Sequence, residues 1–381
     1  MAGNPLIQLN QAGQSVWLDF LSRDIIRSGR LGALLREDNV SGVTSNPTIF
    51  QGAIEGSDIY DAQIRELAGR GGAEPEKVYE AITTEDIREA ADVLMEVYDR
   101  SGGQDGYVSV EVSPDLARDA GASINEAKRL VSEIGRKNIS VKIPGVPEGV
   151  RAVEELTAEG INVNVTLLFS VQRYEAAALA YLKGIERRIS AGLPVSDIHS
   201  VASFFVSRVD TLFDAMFNEK LPAAGTENEE RRVKNLYGKA GVANCKLAYQ
   251  KYKEIFLGTG FRLIREKGAN AQRLLWASTG TKNPKYSDIK YVEELIAPDT
   301  VNTMPLETLT KFKDHGKVRV TIEQDIQDAR DVFEKISSIG INLEQATGRL
   351  EEEGIKKFGD SYNDVLGAIA RKLEGITKRA A

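Results

Sequence analysis

The chain has 381 residues, 42% of them hydrophobic and 28% charged, with 34 Gly and 11 Pro. That balance excludes a fibrous or disordered polymer and fits one large globular domain or two ordinary ones. A net charge of −7, with bases interspersed among acids, disfavours nucleic acid as a partner while leaving room for a local basic cluster that holds a small anion.

The N-terminal stretch "MAGNPLIQLNQAGQ" has no basic segment followed by an apolar run, so no signal peptide is expected. The first strand is predicted at "SVWLDF" (15–20), where Trp17 and Asp19 share one face and Val16, Leu18 and Phe20 the other. "VSGVTSN" (40–46) is the second. Residues 51–105 read as inserted helices, with the Gly-rich "RGG" at 70–72 a turn between them. The third strand is "GYVSVEVS" (106–113), in which Tyr107, Ser109 and Glu111 oppose Val108, Val110 and Val112. A helix over "PDLARDAGASINEAKRLVSEIGRK" follows, with Gly135 near its end.

The fourth strand, "NISVKIP" (138–144), opposes Ser140 and Lys142 to Ile139, Val141 and Ile143. The fifth, "INVNVTLL" (161–168), puts Asn162, Asn164 and Thr166 on one face and Ile161, Val163, Val165 and Leu167 on the other. Ser170 is placed to cap a helix whose apolar residues, Val171 to Ile189, recur at threes and fours. Further strands are predicted at 200–207, 273–278 and 300–305. Residues 208–270 read as a second helical insertion, with 222–232 its exposed loop, and 321–381 as two or three further helices. Cys245, in a helical stretch, is expected to serve packing. As the only cysteine it excludes an intrachain disulfide and fits a cytoplasmic location.

Eight strands alternating with helices point to an α/β fold, a closed (β/α)8 TIM barrel formed by one domain over 1–381, with an open doubly wound sheet as the alternative. Strands of a parallel sheet are usually apolar on both faces. Here one face carries Asp19, Glu111, Lys142, Asn164 and Thr166. If helices cover the apolar faces, the polar ones point into the barrel, where such groups are costly unless they satisfy one another. A structural polar network is one explanation. The charged members, however, cluster toward the C-terminal ends of their strands, where active sites of this fold lie. An enclosed ammonium loses solvation and the neutral amine is favoured, a nucleophile that forms a Schiff base with a carbonyl. Asp19 and Glu111 are then placed as proton carriers, with Thr166 holding a water. The expectation is an imine-forming aldolase-type enzyme with no metal and no organic cofactor. His199 and His315 lack ligand-spaced partners, and neither a dinucleotide fingerprint nor a Walker loop is present.

"GVTSNPTIF" (42–50), "VSVEVSP" (108–114), "VKIPGVPEG" (141–149) and "GINVNVTLLFSVQRY" (160–174) resemble the transaldolase family, in its longer bacterial type, over about residues 10–320. The resemblance implies a TIM barrel of the pentose phosphate pathway. Such an enzyme moves a dihydroxyacetone unit from a ketose phosphate such as sedoheptulose 7-phosphate to glyceraldehyde 3-phosphate, or between fructose 6-phosphate and erythrose 4-phosphate. It further implies that Lys142 is the Schiff-base lysine, Asp19 the acid/base, and Glu111 with Thr166 the holders of the catalytic water. Asn46, Thr44, Ser203 and Phe205 become substrate contacts, and Arg208 and Ser278 phosphate contacts. Phe204 and Ser207 stand where many members have Pro and Gly, and "ASTGTKN" replaces "ASFRN", which leaves Lys282 as the second phosphate cation. A related class cleaves fructose 6-phosphate as a plain aldolase, with an amide in place of Glu111 and Tyr in place of Phe205. Both residues here favour transfer. A catalytically inactive barrel acting as a binding protein would have lost Lys142 or the carboxylates. Sugar phosphates are thus the expected partners, for a monomer or homodimer.

Overall fold

The computed structural model describes residues 3–69, 74–223 and 225–380. Its centre is a closed barrel of eight parallel strands, each paired with its neighbour in sequence and the last with the first. The strands are β1 (Gln14–Leu18), β2 (Val40–Thr44), β3 (Tyr107–Glu111), β4 (Ile139–Pro144), β5 (Val163–Leu168), β6 (Ser200–Phe205), β7 (Arg273–Ala277) and β8 (Thr300–Met304). Closure pairs Gln14 with Thr300 and Leu18 with Met304. The open doubly wound sheet is therefore excluded.

The alternation of the strands explains the two layers. Val16, Leu18, Val108, Val110, Ile139, Val141, Ile143, Val163 and Val165 are buried against the surrounding helices. Each such side chain contributes roughly 1.5–3 kcal/mol on burial. Trp17, Tyr107, Val201, Leu275 and Val301 belong to a second cluster that fills the barrel and reaches its mouth. Gly42 makes room for it, since a Cβ there would lie 2.4 Å from the Trp17 ring.

One strand departs from simple alternation. The β5–β6 register shifts between Val165 and Leu168, and Leu167 takes a φ of +58°. This irregularity turns Leu167 away from the face of Val163 and Val165, where alternation had put it, and Leu168 fills the outward place instead. Thr166 is left pointing into the mouth.

Helices Pro47–Glu55, Asp61–Gly69 and Pro75–Arg100 lie between β2 and β3, and the expected turn at 70–72 falls outside the described residues. Helices Ser207–Lys220, Glu227–Lys234, Ala240–Phe256 and Thr259–Arg265 lie between β6 and β7. The stretch 222–232, expected as a loop, is helical from Glu227, where the Thr226 hydroxyl accepts from Glu229 N and acids fill the first turn. Ser170 caps the helix Val171–Ser190, and Gly135, at φ +64°, ends the helix Ala120–Ile134. Cys245 is buried in the core. After β8 and the helix Leu306–His315 come Ile326–Ser338 and a long helix, Leu343–Ala380.

Candidate active site

At the C-terminal ends of the strands the barrel opens into a cleft of about 600 Å³. Asp19, Thr44, Asn46, Lys142, Thr166, Ser203, Phe205, Arg208, Ser278 and Lys282 all line it, so the fold gathers almost every residue singled out from the sequence. Glu111 is the exception. It borders a neighbouring cavity behind Ser45 and Asn46, yet it reaches the cleft through Lys142.

Register brings that pair together: Glu111 of β3 lies opposite Lys142 of β4. The two side chains are 6% and 7% exposed, and Glu111 Oε2 is 3.7 Å from Lys142 Nζ. That ion pair is loose; among the described residues the ammonium's one hydrogen bond is to the Ser45 carbonyl, at 3.0 Å. On the far side of the mouth Thr44 donates to Asp19 Oδ1 at 2.6 Å and shares a 2.8 Å bond with Thr303. One layer deeper, Ser203 donates to Asn164 Oδ1 (2.6 Å) and Asn164 to Ser109 Oγ (3.1 Å). Ser203 is therefore tied into a chain of hydrogen bonds while its side chain still meets the cleft. Asn46 Oδ1 caps the helix Pro47–Glu55, accepting from Ile49 N at 3.0 Å, which directs the amide end toward the cleft.

Burial governs the carboxyls. It pushes Glu111 above the usual range, partly offset by Lys142, with Asp19 pushing it further up. Burial likewise raises Asp19, against the pull of Lys142, the Thr44 hydrogen bond and Arg208. Both groups are thus held closer to the proton-exchanging range than free carboxylates. Thr166 Oγ1 and Glu111 Oε2 are buried without a hydrogen-bond partner among the described residues.

The cationic side of the cleft is built differently. Arg208, in the first turn after β6, stacks its guanidinium 5.0 Å from the Phe205 ring, and burial lowers its pKa while Asp19 and Glu111 oppose that. Ser278, at φ +58°, bends the chain after β7 and shares a 2.9 Å bond with Ser207 Oγ. Such backbone conformations cost roughly 1–3 kcal/mol, and both Leu167 and Ser278 stand at this rim. Lys282 lies exposed at the edge.

Five lining residues escaped the sequence: Ala277, Gly280, Thr303, Pro305 and Phe358. Thr303 shares the inward face of β8 with Val301, so alternation could have found it. Phe358 comes from the C-terminal helix, 54 positions beyond the end of β8, and no pattern in that helix marks it. The histidines stand apart from the cleft: His199 lies near the N-terminal end of the barrel and His315 pairs with Asp288 and Asp314 at the surface. Among the described residues no group of His, Cys, Asp and Glu is arranged to hold a metal ion, and no helix is long and apolar enough to cross a membrane.

Residues 16–369 match the family model described as Transaldolase/Fructose-6-phosphate aldolase. "Transaldolase" of Frankia alni is 48% identical over 97% of this chain and 98% of its own. The protein of that name from Mycolicibacterium smegmatis is 46% identical over 99% and 100%, and the one from Trichodesmium erythraeum 44% over 99% and 100%.

Proposed function

The chain belongs to the transaldolase/fructose-6-phosphate aldolase family with the activity of a transaldolase, and on that premise we propose that Lys142 is the Schiff-base nucleophile, Asp19 the proton carrier of carbon–carbon cleavage, and Glu111 with Thr166 the holders of the water that makes and breaks the imine. The observation that carries the assignment is the buried Lys142 ammonium at the mouth, held by one carbonyl and a carboxylate at 3.7 Å.

The electron and proton balance follows from these positions. The Lys142 amine attacks the C2 carbonyl of a ketose phosphate, such as sedoheptulose 7-phosphate or fructose 6-phosphate. The carbinolamine loses water through Glu111 to give the protonated imine. Asp19 takes the proton of the C4 hydroxyl, the C3–C4 bond breaks, and its electron pair moves into the imine to give an enamine. The aldose phosphate leaves. The enamine carbon then attacks the aldehyde of the incoming aldose phosphate, glyceraldehyde 3-phosphate or erythrose 4-phosphate, and Asp19 returns its proton to the new alkoxide. Water delivered between Glu111 and Thr166 releases the new ketose. Asn46 and Ser203 orient the sugar hydroxyls, while Arg208, Ser278 and Lys282 hold the phosphate. Thr44 keeps the Asp19 carboxyl aimed, and Phe205 walls the cleft.

The barrel, its inserted helices and its C-terminal helices are taken as one catalytic domain. The protein is taken to act on sugar phosphates as a monomer or homodimer. The single buried cysteine supports a reducing, cytoplasmic setting for a pentose phosphate enzyme.

Borohydride reduction in the presence of fructose 6-phosphate tests the assignment. A mass increase on the peptide bearing Lys142, absent in Lys142→Ala, is expected, together with complete loss of turnover in that variant. Specific labelling of another peptide in Lys142→Ala would refute it.

A further inference from the structure

We infer that Thr303 of β8 is a positioning residue for the Asp19 carboxyl: its hydroxyl donates to Thr44, Thr44 donates to Asp19 Oδ1, and this one-way chain leaves Oδ2 as the oxygen that takes the substrate's proton. The inference rests on Asp19 being the proton carrier and adds to that reading a residue and a direction of donation.

In the barrel β1 lies between β8 and β2, and Asp19 is the first residue past its end. The Asp19 backbone N–H donates to the Met304 carbonyl at 2.8 Å, so the ladder fixes the chain there. Thr44 ends β2, and Thr303 stands one place before the end of β8. Their hydroxyls meet at 2.8 Å beside the end of β1, and Thr44 Oγ1 lies 2.6 Å from Asp19 Oδ1. Both threonines are buried. Branching at Cβ restricts their side-chain rotation. The Thr303 carbonyl is itself held by the Thr279 hydroxyl at 3.1 Å. Three neighbouring strands thus build the chain without help from a ligand.

Counting protons gives the chain its direction. A hydroxyl has one proton to donate and two lone pairs that accept. Thr44 gives its proton to the Asp19 carboxylate, so its bond with Thr303 is one that it accepts. Thr303 is therefore the donor. The reverse order would need a proton already on Asp19 Oδ1, and that acid could not take another from the C4 hydroxyl of a ketose. Among the described residues no second hydrogen bond reaches the Asp19 carboxyl, so Oδ2 keeps its lone pairs for the substrate.

Donation from Thr303 polarises the Thr44 hydroxyl and strengthens its bond to the carboxylate. A hydrogen bond to the ionised form is worth more than one to the neutral acid. Burial raises the Asp19 pKa, while Lys142, the Thr44 bond, Arg208 and Lys282 pull it down, and Asp19 and Glu111 repel one another across the mouth. The two threonines thereby help to keep Asp19 ionised in a site that disfavours its charge. Without the Thr303 hydroxyl, Asp19 holds its proton to higher pH, and the base is lost on the acid side.

The experiment measures specificity constants for transfer from fructose 6-phosphate to erythrose 4-phosphate across pH, in Thr303→Val, Thr303→Ser, Thr44→Val and the Thr44→Val/Thr303→Val pair. Thr303→Val should lower the values on the acid limb by about threefold more than those on the plateau, the scale of one relayed hydrogen bond, and Thr303→Ser should restore them. Thr44→Val should move the limb further the same way. Adding Thr303→Val to it should change nothing more, because Thr303 acts through Thr44. A loss in Thr303→Val that is equal at every pH, or one that adds to the loss in Thr44→Val, overturns the inference. Borohydride labelling of Lys142 with fructose 6-phosphate should proceed in each variant, since imine formation does not use Asp19; a Thr303→Val protein that folds but does not label overturns the inference as well. Asp19→Asn is the control on the underlying reading. Undiminished turnover there refutes Asp19 as proton carrier and the chain with it, whereas an inactive Asp19→Asn beside a pH-independent loss in Thr303→Val refutes only the chain.

Discussion

Both ends of the barrel carry charge, and they use it in opposite ways. At the N-terminal end Asp105 accepts from Ser15 Oγ (2.6 Å), Trp17 Nε1 (2.9 Å) and Arg273 Nη2 (3.1 Å). Arg273 also donates to Ser15 Oγ (2.9 Å) and the Gln104 carbonyl (2.6 Å). Each of these charges is satisfied by the protein. At the C-terminal end Lys142 and Glu111 stand 3.7 Å apart, Glu111 Oε2 and Thr166 Oγ1 have no hydrogen-bond partner among the described residues, and Arg208 has aromatic rings beside it where Arg273 has a carboxylate. The charges of the barrel floor are saturated, although the amide oxygens of Gln14, Asn138 and Gln272 there have no hydrogen-bond partner among the described residues. The unsaturated charges of the mouth keep capacity for a substrate, as electrostatic preorganisation requires.

The contrast can be broken first at the mouth. Glu111→Gln keeps shape but removes the proposed proton carrier, so turnover should fall by roughly 10²–10⁴ while thermal stability stays level or rises. Stopped-flow or coupled assays with parallel calorimetry check this, and unchanged rates would remove Glu111 from the mechanism. At the floor the effect should invert. Asp105→Ala strands Arg273 and should cost roughly 3 kcal/mol in urea unfolding with the Michaelis constant preserved.

A third test sharpens the floor by pH. Burial, helped by the charge of Arg273, holds the His199 imidazole down to about 4 from the ordinary 6.5. The unfolded chain therefore takes up a proton below pH 6.5 that the native state refuses. The stabilising contribution is present above pH 6.5 and is lost as pH falls toward 4. His199→Gln should flatten the stability difference between pH 7 and pH 4.5 by about 2 kcal/mol, read from denaturation midpoints. The smallest effect belongs to the buried guanidinium of the mouth. Arg208→Ala should lower the ratio of specificity constants for phosphorylated over unphosphorylated donors by at least about tenfold, and equal losses would make Arg208 a rim support.

How much of this was legible before the fold was seen depends on the kind of order involved. Strand faces were legible, because alternation of Ser140 and Lys142 with Ile139, Val141 and Ile143 has a single buried solution once helices cover the apolar side. The gathering of Asp19, Lys142 and Arg208 at one mouth followed from parallel closure. Leu167 was misplaced because a shifted register leaves no trace in residue type; leucine fits either face. The helix at Glu227 was read as a loop because its residues are charged on nearly every side, and its cap and charge order outweigh the lack of an apolar stripe. Phe358 could not be found. It sits among Ile355, Tyr362 and Val365 in an ordinary amphipathic rhythm, and only the packing of that helix across the mouth gives one of its rings a different task.

The helix Leu343–Ala380 also has a place in time. Ribosomes deliver roughly 5–20 residues each second, so the strands that carry Asp19, Glu111 and Lys142 emerge roughly 10–70 seconds before the segment bearing Phe358, and β8, which closes the barrel, emerges roughly 3–10 seconds before it. A nascent chain can thus close its barrel around the whole set of proposed reactive groups and still present an unroofed mouth. Activity would switch on with the docking of one helix, after the sheet has formed.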